Sequence, residues 1–323
     1  MQMPNKSNIL RLALLIVVAM SYIIGEGAKR KEVPAIDAHA LPDTVVFADT
    51  LSFQTPLHRS MQLLADFLNI VKVPDSLVQE CRLRLRMFRV KSVEEARQII
   101  ASAPDRFEGS IIPRMLDEVP EYALKLIANP YKRFIVVDKY RMKVILYNQY
   151  GVEEKSYGMA CSKYYGTKHR KADNRTPEGF FSVEGKYNSE EWLYTDDNGY
   201  TSPKKGQFGP RFIRLLAPMT RQIGIHGTCS PGSIGGRRSH GCIRVTNDNI
   251  MELYDLVEKG MPVIVSPGSR DIAVNEKEGF DVPYITTGDE RPKAGYVPAY
   301  NSPEEEAAYR RAQEAKKEAA EGI

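Results

Sequence analysis

Short runs of apolar residues, separated by turns rich in glycine and proline, dominate the chain from residue 131 to residue 268. Runs of this length and composition are typical of β-strands. The pattern predicts strands at residues 134–138, 144–149, 154–160, 179–187, 211–216, 223–226, 242–245 and 263–266. It also predicts one helix over residues 247–258, with Thr246 or Asn247 as its N-cap. We therefore expect a mostly β domain, sandwich- or barrel-like, with one packed helix.

Before residue 131 the spacing of apolar residues becomes that of helices. Apolar residues recur every three or four positions over residues 61–71, 77–85, 93–100 and 115–127. This is the period of a helix that buries one face. Four short helices are therefore expected in an accessory segment over residues 58–130. The polar, proline-dotted residues 29–57 are expected to form an irregular linker before it.

The end of the chain is polar, and a capping motif predicts its last helix. Ser302 is suited to the N-cap, Pro303 to the first helical position, and Glu305 completes a capping box. Glu306 and Arg310 are spaced for an ion pair one turn apart. Because this helix lacks an apolar stripe, residues 269–323 are expected to be a polar extension ending in a solvated, charged helix. Partner binding is the alternative role.

The first 28 residues have the composition of an export signal. Lys6 and Arg11 precede an apolar run over residues 12–24, and small residues follow it, as in a secretory signal peptide. The run is short for a membrane span, which takes about 20 residues. The segment is therefore either a cleaved signal peptide or an anchor over residues 9–24. Both alternatives place the remaining chain in the periplasm or cell envelope.

Composition and charge exclude one class of partner. The 323 residues carry a net charge of +4, and 27% of them are charged, which is ordinary for a globular protein. The chain has one tryptophan and lacks the repeated aromatic and basic residues that stack single-stranded bases. We therefore expect no nucleic-acid partner, and membrane contact only through an uncleaved N-terminal anchor.

The residues that carry chemistry lie in one short stretch. His226-Gly227 is followed, 16 positions after the histidine, by Cys242 at the end of Ser239-His240-Gly241-Cys242. A thiol becomes a strong nucleophile when an imidazole takes its proton and forms a thiolate–imidazolium pair. The two side chains can meet if each ends one of two neighbouring strands. The glycine before the cysteine would leave backbone N–H groups for an oxyanion. The pattern indicates a cysteine acyl-transfer enzyme.

Five ordered stretches extend this motif into a family resemblance. They are the opening hairpin at residues 133–147, the Thr-Pro-x-Gly turn at 176–180, the strand entry at 208–211, the signature at 225–248 and the last strand at 262–265. Together they resemble the L,D-transpeptidase catalytic domain, a family that acts on bacterial peptidoglycan. The resemblance covers residues 131–268 and implies the mostly β fold of that family.

The resemblance implies how the central pair would act. Cys242 would be the acylated nucleophile, and His226 would be the general base that accepts and donates its proton. The backbone carbonyl of Gly227 would orient the imidazole, since a carbonyl that accepts one ring N–H fixes the tautomer. No cofactor or metal is implied.

Other residues near the pair have less specific expected roles. Ser239 and Gly241 would support the loop or the oxyanion. His240 is expected on the face opposite the nucleophile, either supporting the oxyanion or lying in the core with satisfied hydrogen bonds. Arg244 and Arg214 are candidates to bind a carboxylate of the stem peptide, because guanidinium binds carboxylates through paired hydrogen bonds.

The implied reaction begins with a peptidoglycan tetrapeptide stem. Cys242 would attack the carbonyl of the third residue, expel the terminal D-alanine and form a thioester. An amine of a second stem would then give a 3–3 crosslink. Water as acceptor would make the protein an L,D-carboxypeptidase, and a protein amine would attach that protein to the wall. The motif does not separate these acceptors. The resemblance also implies acylation of Cys242 by carbapenems.

Three further interpretations use parts of the same sequence. Cys229, His226, His240 and Cys242 together match a zinc stoichiometry, although their spacing is unusual for zinc ligands. The chain could also be a non-catalytic wall-binding module that works through its helical segment. A cysteine protease for ordinary peptides is the third, but no Asn or Asp partner for His226 can be assigned.

The expected export raises the question of whether the four cysteines form disulfides, since disulfides form outside the cytoplasm. Cys81 and Cys161 are expected to be small buried thiols. Cys229 is expected near the site, where a disulfide with Cys161 and an inhibitory disulfide with Cys242 are the open alternatives. Before the Thr-Pro-x-Gly turn, residues 162–175 form a basic loop, which is either a substrate-facing lid or a solvated loop.

Overall fold

The computed structural model describes residues 75–195, 199–217, 223–285 and 300–321. The predicted signal or anchor, the linker and the first predicted helix therefore lie outside the described residues. The chain divides into two compact units, one ending at Arg89 and one beginning at Val90. In the first unit, helix α1 spans Asp75–Phe88. No helix within the described ranges combines the length and apolarity that crossing a membrane requires.

The second unit begins with three short helices. They are α2 (Val93–Ala101), α3 (Ile112–Glu118) and α4 (Pro120–Ile127). The sequence predicted one helix over residues 115–127, and this was wrong because Pro120 divides it. A residue before proline is disfavoured in the helical region, and Val119 accordingly has φ −142° and ψ 61°.

Strands make up most of the remaining chain. They are β1 (Arg133–Asp138), β2 (Lys143–Asn148), β3 (Glu153–Gly158), β4 (Cys161–Ser162), β5 (Gly179–Asn188), β6 (Leu193–Thr195), β7 (Thr201–Lys205), β8 (Arg211–Leu215), β9 (Gly224–His226), β10 (Arg237–Ser239), β11 (Ile243–Arg244) and β12 (Pro262–Ser266). Each predicted strand is present, and the mostly β fold class is confirmed. The sequence did not predict β4, β6, β7 or β10.

Eight strands form one curved sheet in the order β11-β9-β8-β5-β12-β1-β2-β3. Neighbours are antiparallel except for β1 with β12 and β9 with β11, which are parallel. One face carries the core, which includes Ile135, Val144, Val263 and the side chains of Ile250 and Leu253 from α5 (Asn247–Leu256). The predicted helix after the nucleophile is therefore the packed one, and Thr246 is its N-cap.

Two helices follow the sheet. Helix α6 (Ser269–Glu278) buries Asp271 and Asn275, although it lies in the segment expected to be a polar extension. Helix α7 (Pro303–Glu321) has the predicted cap, since the backbone N–H of Glu305 donates to Ser302 Oγ at 3.2 Å. The predicted ion pair between Glu306 and Arg310 is also present, at 2.7 Å.

Candidate active site

The site lies where β8, β9 and β11 meet at one end of the sheet. Residues two apart on a strand face the same side, and Ile213, Ile225 and Ile243 point into the core. Their neighbours face a cavity of about 700 Å³ on the other side. These strands and the adjoining loop contribute five of the lining residues: Phe212, Arg214, His226, Cys242 and Arg244. Strand alternation thus places the hydrophobic core on one face of the sheet and the candidate site on the other.

His226 and Cys242 come from adjacent parallel strands. Ile225 is paired with Ile243, and His226 with Arg244. Cys242 immediately precedes β11 and is two residues before Arg244, the strand partner of His226. Neighbouring strands lie about 4.8 Å apart. The structure therefore brings the two residues to the same wall of the cavity.

The orientation of His226 follows from its contacts. Its Nδ1 lies 2.6 Å from the carbonyl oxygen of Gly227. Because a carbonyl can only accept, Nδ1 carries the proton in this contact and the neutral ring has its lone pair on Nε2. Phe212 stacks on the imidazole at a centroid distance of 5.4 Å, and Phe208 meets it edge-on at 5.1 Å. The ring is held in one orientation by backbone and aromatic contacts together.

Burial makes the resting pair neutral rather than ionic. Burial lowers the pKa of His226 to about 4, and nearby Arg244 disfavours the imidazolium further, against backbone hydrogen bonds at Gly227 and Phe208. Burial also raises the pKa of the Cys242 thiol, despite the opposing effects of the Gly224 backbone and Arg244. The expected thiolate–imidazolium pair is therefore not the favoured resting state. Proton transfer would accompany attack on a substrate.

Hydrogen bonds fix the loop that carries the nucleophile. Ser239 Oγ donates to the carbonyl of Cys242 at 2.5 Å and accepts from the N–H of Gly241 at 3.1 Å. Thr176 Oγ1 donates to the carbonyl of Gly241 at 2.8 Å. Ser239 and Gly241 therefore support the loop, and the N–H of Gly241 is directed to Ser239 rather than kept for an oxyanion.

We expect Gly241→Ala to destabilise the protein by about 2–4 kcal/mol and to disturb Cys242. Gly241 has φ +124°, and an added Cβ would lie 2.8 Å from the carbonyl oxygen of Arg175 and 2.9 Å from Ile223 Cδ1. Gly109→Ala is a matched control, because Gly109 has φ +70° but open space around it. Thermal unfolding and the rate of Cys242 alkylation check this. Equal effects of the two substitutions would show that crowding at Gly241 is unimportant.

His240 is exposed and lines the same cavity as Cys242. The expectation that it points away from the nucleophile was wrong, because both side chains line one cavity and Gly241 between them, at φ +124°, interrupts the strand pattern. The core alternative is excluded by its exposure. The Tyr194 hydroxyl lies 2.9 Å from His240 Nδ1 and comes from the β6–β7 hairpin. This hairpin was missed because its short strands are mostly polar and exposed.

Cations line the cavity, and none of its described lining residues is a carboxylate. The cationic lining residues are Arg244, Arg214, Lys168 and Lys171. The Nε atoms of the two arginines are buried without a hydrogen-bond partner. Arg214 forms a long ion pair with Glu184, in which Nε lies 3.7 Å from Oε2. The electrostatics suit a ligand that carries a carboxylate.

The structure also bears on the zinc and disulfide alternatives. None of the four cysteines, which all lie in the described ranges, forms a disulfide: Cys161 is buried, Cys81 and Cys242 are half-buried, and Cys229 is exposed. In the described ranges, no three or more His, Cys, Asp or Glu side chains are grouped so that they could hold a metal ion. The zinc interpretation therefore gains no support.

The fold and the site define a β-sheet protein with a buried histidine beside a cysteine, an arrangement suited to acyl transfer. Residues 132–265 match the YkuD family model, which describes the L,D-transpeptidase catalytic domain. The match confirms the family resemblance that the sequence motifs indicated for this part of the chain.

Relatives of known sequence carry the same family name. The Bacillus subtilis (strain 168) protein YqjB, named for the L,D-transpeptidases, is 35% identical over 118 residues, which cover 35% of this chain and 66% of YqjB. The similarly named YkuD of Bacillus licheniformis is 40% identical over 62 residues, which cover 19% of this chain and 36% of that protein. The chain thus spans just under two thirds of the first relative and about a third of the second.

Solved structures give similar matches. The catalytic domain of an E. faecium L,D-transpeptidase is 26% identical, with 41% of this chain and 95% of that one covered and a TM-score of 0.31. An L,D-transpeptidase from Mycobacterium smegmatis is 22% identical. The match covers 42% of this chain and 58% of that one, with a TM-score of 0.32.

Proposed function

We propose that this protein is a cysteine-dependent L,D-transpeptidase that acts on peptidoglycan tetrapeptide stems through a thioester. One observation carries the proposal: His226, oriented by the Gly227 carbonyl, shares a cavity wall with Cys242 across adjacent parallel strands. The match of residues 132–265 to the L,D-transpeptidase catalytic domain supports it.

The first half-reaction forms the acyl-enzyme. The Cys242 sulfur attacks the carbonyl carbon of the third stem residue while Nε2 of His226 takes the thiol proton. The tetrahedral intermediate collapses, the peptide bond to the terminal D-alanine breaks, and His226 returns the proton to the leaving amine. Free D-alanine departs, and the stem remains as a thioester on the sulfur.

The second half-reaction releases the sulfur. An amine of an acceptor stem attacks the thioester carbonyl, and His226 takes the proton that the nitrogen loses. The C–S bond breaks, and the sulfur recovers its proton from the imidazolium. The product is a 3–3 crosslink, and both catalytic residues return to their starting states.

The cationic lining supports recognition of the donor stem. Arg244 lies beside His226 in strand register and has a buried Nε without a partner. We propose that it binds a carboxylate of the stem, because an ion pair would satisfy a guanidinium that is otherwise only partly compensated. Arg214 is the second candidate for this role. We further propose that the protein works in the cell envelope, where peptidoglycan lies.

We expect kcat/KM for the donor stem to stay high in mild acid. The neutral form of His226 is the base, and its pKa is lowered from 6.5 to about 4. The rate should therefore fall only as the pH approaches 4, by about tenfold per unit below that. Initial rates between pH 4 and 8, on enzyme shown to remain folded, measure this. An acid limb centred near 6.5 would contradict the burial argument.

The proposed reaction is tested by incubating purified disaccharide-tetrapeptide with wild type, Cys242→Ala and His226→Ala, and identifying products by mass spectrometry. Wild type should give a dimer that lacks one D-alanine. His226→Ala should slow this by about 100- to 10,000-fold, the usual contribution of a general base. Tripeptide without dimer would identify a carboxypeptidase or a missing protein acceptor. No turnover by folded wild type would favour the wall-binding alternative.

A further inference from the structure

The basic loop, residues 162–175, forms part of the cavity wall. Lys168, Lys171, Ala172 and Asn174 of this loop line the cavity together with Cys242. The end of the loop also borders the nucleophile segment, because a Cβ added to Gly241 would lie 2.8 Å from the carbonyl oxygen of Arg175, the last residue of the loop. Moving this loop would therefore change both the donor site and the support of the nucleophile.

Internal hydrogen bonds determine the shape of the basic loop. The buried carboxylate of Asp173 accepts the backbone N–H groups of His169 at 2.9 Å, Arg170 at 3.1 Å and Arg175 at 3.1 Å. It also pairs with Lys168 at 2.7 Å. These bonds lie within the loop and hold its conformation. Helix α6 attaches the first part of the loop, since Asp271 accepts the N–H of Gly166 at 2.9 Å and Asn275 accepts that of Thr167 at 2.7 Å.

Helix α7 contacts the basic loop, although it lies well beyond residues 132–265 in the sequence. Glu306 accepts from Lys163 Nζ at 2.9 Å and from the Tyr164 hydroxyl, and 13% of its side chain is exposed. Glu304 pairs with Arg170. Just before the helix, the carbonyl of Asn301 accepts from Arg175 Nη2 at 3.0 Å.

The Glu306 carboxyl is ionised at neutral pH and in mild acid. Hydrogen bonds from Tyr164 and Lys163 lower the pKa of its carboxyl to about 2. The helix contact is therefore a charged one, of the kind that orders a loop more strongly than neutral hydrogen bonds do.

We propose that Glu306 is a positioning residue for the acyl-transfer site, which acts by holding the basic loop against the cavity. The C-terminal helix would then be a working part of the enzyme rather than a solvated tail. The kinetic consequence rests on the proposed transpeptidase function, whereas the structural consequence does not.

The test compares Glu306→Gln with Glu314→Gln in the full chain. Glu314 is an exposed glutamate of the same helix, so the control makes the same chemical change away from the loop. Trypsin can cut the basic loop after Lys168, Arg170 or Lys171. We expect Glu306→Gln to be cut there roughly three- to tenfold faster than the control, since local opening exposes the loop.

The kinetic readout separates positioning from general stability. Glu306→Gln should raise KM for the tetrapeptide donor several-fold and change kcat little, while Glu306→Asp should recover part of the loss. Lys163→Met removes the same ion pair from the loop side and should reproduce the faster cleavage. Equal tryptic rates for Glu306→Gln, Lys163→Met and the control would overturn the proposal. This holds even if wild type has no turnover, an outcome that would instead refute the proposed function.

Discussion

Cys242→Ala is expected to remain folded and to lose all transpeptidase turnover. The thiol supplies the bond-forming electron pair. The hydroxyl of Ser239 also lines the cavity, but it donates to the carbonyl of Cys242 and has no base to take its proton. Loss should reach the detection limit, because the thioester cannot form. Dimer production from purified tetrapeptide, with thermal unfolding measured in parallel, gives the result.

Cys229→Ala is the matched control for this experiment. Cys229 has the same side chain and follows His226 by three residues, but it is exposed and lies outside the cavity lining. Its replacement should leave turnover within about twofold, as for a surface substitution that removes no packed contact. If Cys229→Ala were as inactive as Cys242→Ala, the assignment of the nucleophile would be wrong.

Asp271→Asn is expected to destabilise the second unit by about 3–5 kcal/mol, the cost of breaking a buried ion pair from one side. Asp271 is fully buried and pairs with Lys139 at 2.8 Å and with Arg237. It also accepts the backbone N–H groups of Gly166 and Gly268, each at 2.9 Å. The substitution removes a charge that two buried cations need. A lower midpoint of thermal or urea unfolding is the measurement.

The effect has a pH dependence with a definite sign. Burial alone would raise the pKa of Asp271, but Arg237 and Lys139 lower it overall to about 2. The contribution of this carboxylate is therefore present above its ordinary pKa of 3.8 and is lost as the pH falls toward 2. Asp271→Asn should remove that part of the acid sensitivity.

Asp117→Asn makes the same chemical change at an exposed ion pair. Asp117 lies 2.5 Å from Arg97, and their side chains are 63% and 50% exposed. Pairs of this kind contribute up to about 1 kcal/mol. Similar destabilisation by the two substitutions would mean that the buried network around Asp271 does not hold the fold.

The strands were predictable because apolar periodicity is a local property of the chain. The buried strands β1, β2 and β12 are nearly continuous apolar runs, and tertiary packing had no reason to override them. The β6–β7 hairpin was not predictable in the same way. Its residues are mostly exposed, and it is placed by contacts such as that between Tyr194 and His240.

The reactive pair was also readable from the sequence, since its members lie in a motif of fixed spacing. Their supports were not. Phe212 on His226, Thr176 on Gly241 and the network around Asp271 join residues that are distant in the chain. Such contacts follow from the order of strands in the sheet, which apolar periodicity does not reveal.

The most direct test of the central claim is intact-mass analysis of the reduced full chain during reaction with disaccharide-tetrapeptide. We expect an adduct equal to the donor without its terminal D-alanine, mapped by peptide analysis to Cys242 and absent from Cys242→Ala. Crosslinking or hydrolysis by folded wild type with no such adduct on Cys242, under conditions that trap thioesters, would contradict it.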